Sequence, residues 1–149
     1  MKRLLFNVFS ALAVLFSVSA CSGLIDNEDP ADKFVGTYNL SVLQQVVWGG
    51  DSGPVNATGT LTITKIGATK VRTSGYFYTQ GEVTGNAIYF DAISASDSYG
   101  YIDEVFGAGT LSGNVLTFTS TMNGRLAATS GGYQYPFRAS VQYNAIKRY

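Results

Sequence analysis

The chain has no histidine and only one cysteine, Cys21, among its 149 residues. The missing histidine excludes Ser-His-Asp and Cys-His nucleophiles, histidine proton shuttles and imidazole ligands for zinc or copper. The single cysteine excludes an intrachain disulfide. The composition therefore predicts that the protein is not an enzyme and that it holds no cofactor and no metal.

Charged side chains are also few, at 13% of the chain, with ten basic and ten acidic residues. This balance provides no basic patch, so nucleic acid is not an expected partner. Glycine, tyrosine and phenylalanine are abundant instead, with 17, 10 and 9 residues respectively. Such a mixture is typical of a domain that is rich in strands and turns.

Residues 1–20 have the three parts of a secretion signal. Lys2 and Arg3 supply the positive charge, an apolar run from Leu4 to Phe16 follows, and small residues come last. The run has about 13 residues, whereas a permanent transmembrane helix needs roughly 20. The segment therefore predicts export and removal of the leader.

The leader ends in Val18, Ser19 and Ala20, directly before Cys21. This motif resembles the lipobox of bacterial lipoproteins. The resemblance implies cleavage before Cys21 and attachment of lipid to its sulfur, which makes a membrane the expected partner of the anchor. An ordinary signal that ends before a cysteine is the alternative, but it would leave an unpaired exported thiol unexplained.

Residues 21–32 carry four acids and a proline without apolar periodicity, so we expect a flexible tether behind the lipidated cysteine. An aspartate directly after the cysteine would resemble an inner-membrane retention signal, but Ser22 stands there. The predicted location is thus the cell envelope, on either side of the outer membrane. Residues 33–149 remain for a single folded domain.

From residue 33 onward, the alternation of apolar and polar residues predicts an all-β fold. The alternation is clearest in the last segment, where Phe137 and Val141 share the apolar face. Pro136 cannot donate to a ladder, so this strand should begin at an edge or bulge. A break at Gly81 could divide the long run 69–84 into two strands and so supply an eighth strand. The seven predicted runs are approximately 34–48, 56–66, 69–84, 87–96, 100–112, 115–122 and 133–147.

Two segments, one around Gly85-Asn86 and one around Gly113-Asn114, align without gaps. Both dipeptides can adopt positive φ, as tight two-residue hairpin turns require. A third hairpin is predicted around residues 66–69. Neighbouring runs should therefore pair in space, which gives an antiparallel meander.

The start of the first run, Phe34-Val35-Gly36-Thr37-Tyr38, resembles the Gly-x-Trp opening of the lipocalin and calycin barrels. Gly36 matches the glycine of that motif, and Tyr38 replaces its tryptophan. In those families a basic residue from the end of the chain packs across the aromatic ring, which implies that role for Lys147 or Arg148. The resemblance implies a small closed barrel of about eight strands whose interior can hold a ligand. A two-sheet β-sandwich is the alternative fold.

Exposed aromatic side chains are the main candidates for binding. Tyr76 and Tyr78 share a face opposite Phe77, so they should point to solvent if Phe77 packs in the core. The strand preference of tyrosine is a sufficient explanation for any single one of these residues. The candidate set is Trp48, Tyr76, Tyr78, Tyr89, Tyr99 and Tyr101.

Acidic residues are weaker candidates. The stretch from Asp97 to Glu104 offers oxygen ligands around a glycine, but it lacks the acid spacing of a calcium loop. A turn between two strands explains it better. A glycosidase would require two carboxylates across a cleft, and the spacing of the acids predicts no such pair. The acids considered are Glu82, Asp91, Asp97, Asp103 and Glu104.

Two functional hypotheses remain. The first, which we favour, is a lipid-anchored and non-catalytic protein that binds a small apolar or amphipathic ligand inside its barrel. The second is an interaction module that contacts an envelope protein or a glycan through exposed aromatic residues. A solidly packed interior without a ligand-sized cavity would overturn the first hypothesis, whereas the second predicts an exposed aromatic patch.

Overall fold

The computed structural model describes residues 28–48, 53–97, 100–127 and 134–149. The predicted signal, the lipidation site Cys21 and the candidate Tyr99 lie outside these residues. A 3-10 helix (Pro30–Phe34) precedes ten strands, and no helix within the described ranges is long and apolar enough to span a membrane. The strands are β1 (Gly36–Trp48), β2 (Pro54–Lys65), β3 (Lys70–Gly75), β4 (Gln80–Thr84), β5 (Ala87–Phe90), β6 (Ile93–Asp97), β7 (Gly100–Phe106), β8 (Gly109–Ser112), β9 (Val115–Ala127) and β10 (Gln134–Lys147).

Eight of these strands close into an antiparallel barrel in the order β10-β1-β2-β3-β4-β5-β8-β9, and β9 pairs back onto β10. Apart from the inserted hairpin β6–β7, neighbours in the barrel are also neighbours in the chain. The predicted meander barrel is therefore confirmed, and the sandwich alternative is wrong. Closure leaves the barrel strands without free edges where all eight are present.

The eighth strand comes from a break in the third predicted run, but the break is not at Gly81. It lies at residues 76–79, between β3 and β4, while Gly81 faces inward within β4 and pairs with Phe90. The buried Thr73 hydroxyl fixes this loop, since it lies 3.1 Å from the Phe77 carbonyl oxygen and accepts a hydrogen bond from the Thr79 amide at 2.8 Å. A hydroxyl inside the barrel thus replaces the missing ladder bonds.

The two Gly-Asn hairpins form as predicted, but their backbone differs in one respect. Gly85 and Gly113 have φ of 61° and 59°, while no non-glycine residue of the described chain has positive φ. Asn86 and Asn114 therefore keep ordinary backbone angles, contrary to the expectation that both turn residues would be left-handed. Positive φ at only the first central residue is the pattern of a type II′ turn, which favours glycine there.

Beyond the barrel, the sheet continues on one side only. β6 pairs with β7, β7 pairs with the second half of β9, β9 continues beside β10, and β10 continues beside β1. The first part of β2, before Leu61, pairs only with β1, because the ladder between β2 and β3 begins at Leu61. We call this one-sided part the extension, and we call the end that carries the 3-10 helix the closed end. Pro136 lies in the extension, past the last β1 partner of β10 at Arg138, as expected for a proline at a sheet edge.

The core fills the barrel. Inward positions alternate along each strand, as the sequence pattern predicted, and Phe34 of the 3-10 helix covers the closed end. The helix is held there by a hydrogen bond from the Ala31 amide to the Ala68 carbonyl in the turn between β2 and β3. The largest fully buried side chains are Tyr38, Phe34, Leu40, Leu61, Ile63, Ile88, Leu116, Val71, Val83, Val141 and Thr73.

Candidate functional site

Six aromatic rings pack together where the barrel meets the extension, and we call them the aromatic cluster: Tyr76, Phe77, Phe90, Phe106, Phe118 and Tyr143. Phe77 enters from the loop between β3 and β4 and lies 5.1 Å from Phe106 and 5.7 Å from Phe90, measured between ring centroids. Phe118 and Tyr143 stack at 4.5 Å. The cluster occupies the barrel interior with side chains at the position where an enclosed ligand would lie.

One carboxylate borders the aromatic cluster. Glu104 points inward from β7 and is only 8% exposed. Its Oε1 accepts a hydrogen bond of 2.5 Å from the Ser120 hydroxyl and a second one from the Tyr143 hydroxyl. The ladders explain this arrangement, because β9 lies between β7 and β10 and the three inward residues follow a diagonal across these strands, each offset by two positions from the next.

Burial and this carboxylate change the acidity of nearby tyrosines. Burial, followed by the hydrogen bond to Glu104, raises the pKa of Tyr143 well above its usual value. Burial, with a smaller contribution from the charge of Glu104, also raises the pKa of Tyr76. Both phenols therefore stay protonated at neutral pH, and Tyr143 serves as a hydrogen-bond donor.

The outer wall carries an open groove of about 530 Å³, which crosses β2, β1, β10, β9 and β8. This volume is within the range of small-molecule sites, although the groove is open rather than enclosed. None of the lining side chains is charged. The outward lining residues are Ser41, Leu43, Asn56, Ala108, Thr110, Thr117, Thr119, Gln142 and Asn144.

Strand register arranges most of these side chains in two rows across the sheet. The first row runs Ser41, Asn144, Thr117, Thr110, and the second runs Asn56, Leu43, Gln142, Thr119. Adjacent strands are about 4.8 Å apart, so each row is about 15 Å long. The groove thus presents parallel lines of hydroxyl and amide groups, each of which can donate and accept hydrogen bonds.

The predicted aromatic candidates do not form one site. Phe77 is buried, and Tyr78, 73% exposed, points to solvent as expected. Tyr76 does not follow the expectation, because its ring, although 41% exposed, packs against Phe77 and Tyr143 as part of the aromatic cluster. Tyr89 and Tyr101 are exposed on the outer faces of β5 and β7. None of these four lines the groove, and the structure places Trp48 at the end of β1.

The barrel-opening residues lie at the closed end. Tyr38 is fully buried and donates a hydrogen bond of 2.7 Å to the Phe34 carbonyl oxygen. Lys147 is its direct partner across the β1–β10 ladder, and the aliphatic part of Lys147 packs over Gly36. Arg148 instead bonds to Asn39 on the outside, at 2.5 Å. Of the two basic candidates, Lys147 occupies the position beside the aromatic residue.

The acidic candidates are separated by the fold. Asp97 pairs with Gly100 at the end of the β6–β7 hairpin, which supports the turn interpretation. Asp103 and Glu104 are consecutive on β7 and therefore point to opposite faces. In the described part of the chain, no three acidic, cysteine or histidine side chains come close enough to hold a metal ion.

Comparison with known proteins gives no relative. No family model matches the chain, and neither a curated protein nor a solved structure is significantly similar to it. Inferences about function therefore depend on the geometry of the groove and of the aromatic cluster.

Sequence reasoning missed both of these features in part. The alternation that puts Val141 on the apolar face puts Gln142 and Asn144 on the polar face, but their neighbours on other strands follow only from the register. Glu104 was considered only as one acid among several. A signal was present in its position, since an acid two residues from the apolar Phe106 and Ile102 shares their face in a strand.

Proposed function

We propose that this protein is a non-catalytic, lipid-anchored module of the bacterial envelope that binds a neutral glycan in its outer groove. The observation that carries the proposal is the groove itself, with two rows of uncharged hydroxyl and amide side chains across five strands. Sugar hydroxyl groups both donate and accept hydrogen bonds, and serine, threonine, asparagine and glutamine do the same. An open groove also accommodates a chain that continues beyond the site.

The lining chemistry favours a glycan over an ionic ligand. A charged ligand would need a counter-charge, which this lining does not supply. Leu43 and Ala108 add small apolar surfaces against which the C–H face of a sugar can pack. A small ligand in the centre of the barrel is a weaker candidate, because Phe77, Phe90 and Phe118 pack against one another there.

Anchoring is supported by the lipobox resemblance at residues 18–21. Substitution Cys21→Ala should release the protein from the membrane fraction, and fractionation followed by immunoblotting measures the release. Continued sedimentation of the variant with membranes would contradict the anchor without affecting the proposal about the groove.

The glycan proposal is tested by titrating the purified protein with neutral oligosaccharides, namely linear glucans, mannans and xylans, in a calorimeter. We expect binding by the wild type and a loss of about tenfold or more in affinity for the double variant Gln142→Ala, Asn144→Ala, because two amides that bridge sugar hydroxyl groups are removed. Ser140→Ala, an exposed position on the same face of β10 outside the groove, is the matched control and should bind normally. Equal affinity of the double variant, or no binding to any of these glycans, would overturn the proposal.

A further inference from the structure

Glu104 is a buried carboxylate without a basic partner in the described part of the chain. The only salt bridges there join Lys65 to Asp29 and Asp32, at the closed end. Removing an ionised carboxylate from water costs several kcal/mol unless it is paired or hydrogen-bonded. Two hydroxyl donors compensate part of this cost, but they are neutral groups, and both bind Oε1.

The Glu104 carboxylate borders the aromatic cluster through its hydrogen bond from Tyr143. Tyr143, which donates to Glu104, has its ring centroid 6.2 Å from that of Phe106 and 6.3 Å from that of Tyr76. The faces of aromatic rings attract cations, and this attraction is strongest where water is excluded. A carboxylate beside several rings is the combination that an organic cation requires.

Tyr76 is the most exposed ring of the aromatic cluster. Its side chain remains partly exposed, and its ring packs over the backbone of Gly59, where no β-carbon intervenes. The charge of Glu104 contributes to the raised pKa of Tyr76, which is consistent with their proximity. Tyr76 therefore contacts the ring of Tyr143, which bonds the carboxylate, and is also partly exposed to solvent.

We propose that Glu104 is the anion of a second binding site, which accepts the alkylammonium group of an organic cation among Tyr76, Phe106 and Tyr143. Because both hydroxyl groups bond Oε1, the ammonium N–H donates to Oε2. The rings contact the alkyl carbons next to the nitrogen, which carry part of its positive charge. This apolar surrounding selects an alkylammonium over a strongly hydrated metal ion, and the negative charge rejects anions. The site lies on the inner side of the sheet and is separate from the outer groove.

The test uses three probes of equal length, n-butylammonium, n-butanol and n-butyrate, with the purified protein and calorimetry. We expect n-butylammonium to bind at least about tenfold more tightly than n-butanol, and n-butyrate not to bind. Glu104→Gln removes the charge but keeps an amide oxygen for Ser120 and Tyr143, so it should keep the fold and lose n-butylammonium binding. Glu82→Gln, an exposed acid on β4, is the matched control and should bind as the wild type does.

Equal binding of n-butylammonium and n-butanol would overturn the proposal, and so would normal n-butylammonium binding by Glu104→Gln. Either result would leave Glu104 as a structural hydrogen-bond acceptor. Near-ultraviolet circular dichroism checks the fold of each variant. If Glu104→Gln is misfolded, Ser120→Ala replaces it, since this variant keeps the charge and should still prefer n-butylammonium to n-butanol; loss of that preference in a folded Ser120→Ala would also overturn the proposal.

Discussion

The closed end and the extension are built largely from the same long strands, yet they hold their side chains in different ways. At the closed end eight strands surround the core, and the 3-10 helix covers it. In the extension, β6 has a neighbouring strand on one side only, and the part of β2 that precedes Leu61 has no ladder with β3. The comparison shows that strand pairing alone does not bury a side chain, because burial also needs an opposite wall.

The largest difference is expected for two isoleucines on inner faces. Ile88 in β5 is fully buried, whereas Ile102 in β7 is only partly buried. Ile88→Ala should lower the free energy of unfolding by about 2–5 kcal/mol, because it leaves a cavity in a packed core. Ile102→Ala should cost less than about half as much. Chemical denaturation measures both, and equal losses would show that the extension is packed as tightly as the barrel.

A smaller effect, confined to the closed end, is expected at alkaline pH. Burial raises the pKa of Tyr38 to about 12, above its usual value of 10.0. Below pH 10 both states keep the proton, but between about pH 10 and 12 only the unfolded state loses it, so stability falls as pH rises. The Tyr38 contribution is about 2–3 kcal/mol over this interval. Denaturation at a series of pH values should show a shallower decline for Tyr38→Phe; an unchanged decline would place the ionisation elsewhere.

The smallest effect concerns the attachment of the 3-10 helix. Lys65 bonds Asp29 at 2.6 Å and Asp32 at 2.9 Å, and all three side chains are partly exposed. Surface pairs of this kind contribute little to global stability. Lys65→Ala should therefore leave the unfolding midpoint nearly unchanged but speed hydrogen exchange at the Ala31 and Asp32 amides. Unaltered exchange at these amides would show that their backbone bonds alone hold the helix.

Most of the strand pattern could be predicted from the sequence because alternation reports directly on which side chains face inward. The last run shows this, since Phe137, Ala139, Val141, Tyr143 and Ala145 are all buried. The break between β3 and β4 was misplaced because Gly81 looked like an interruption. The true signal was Gly75, whose φ of 98° ends β3, together with the inward turn of Phe77.

The candidate sites were less predictable because they depend on contacts between strands far apart in sequence. Ser120 and Tyr143 meet Glu104 only after β9 has been placed between β7 and β10. The groove likewise needs the register of three ladders before Ser41, Asn144, Thr117 and Thr110 fall into one row. Alternation gives the face of a residue, whereas register gives its neighbours.

The salt bridges of Lys65 also fix where the tether enters the domain. They hold Asp29 and Asp32 against the end of β2 at the closed end, so the chain leaves the barrel there. From Cys21 to Glu28 an extended chain spans at most about 25 Å. A lipid on Cys21 would therefore attach the molecule to the membrane with its closed end toward the bilayer. Tyr76 and the extension would then face the surrounding medium, where a ligand first arrives.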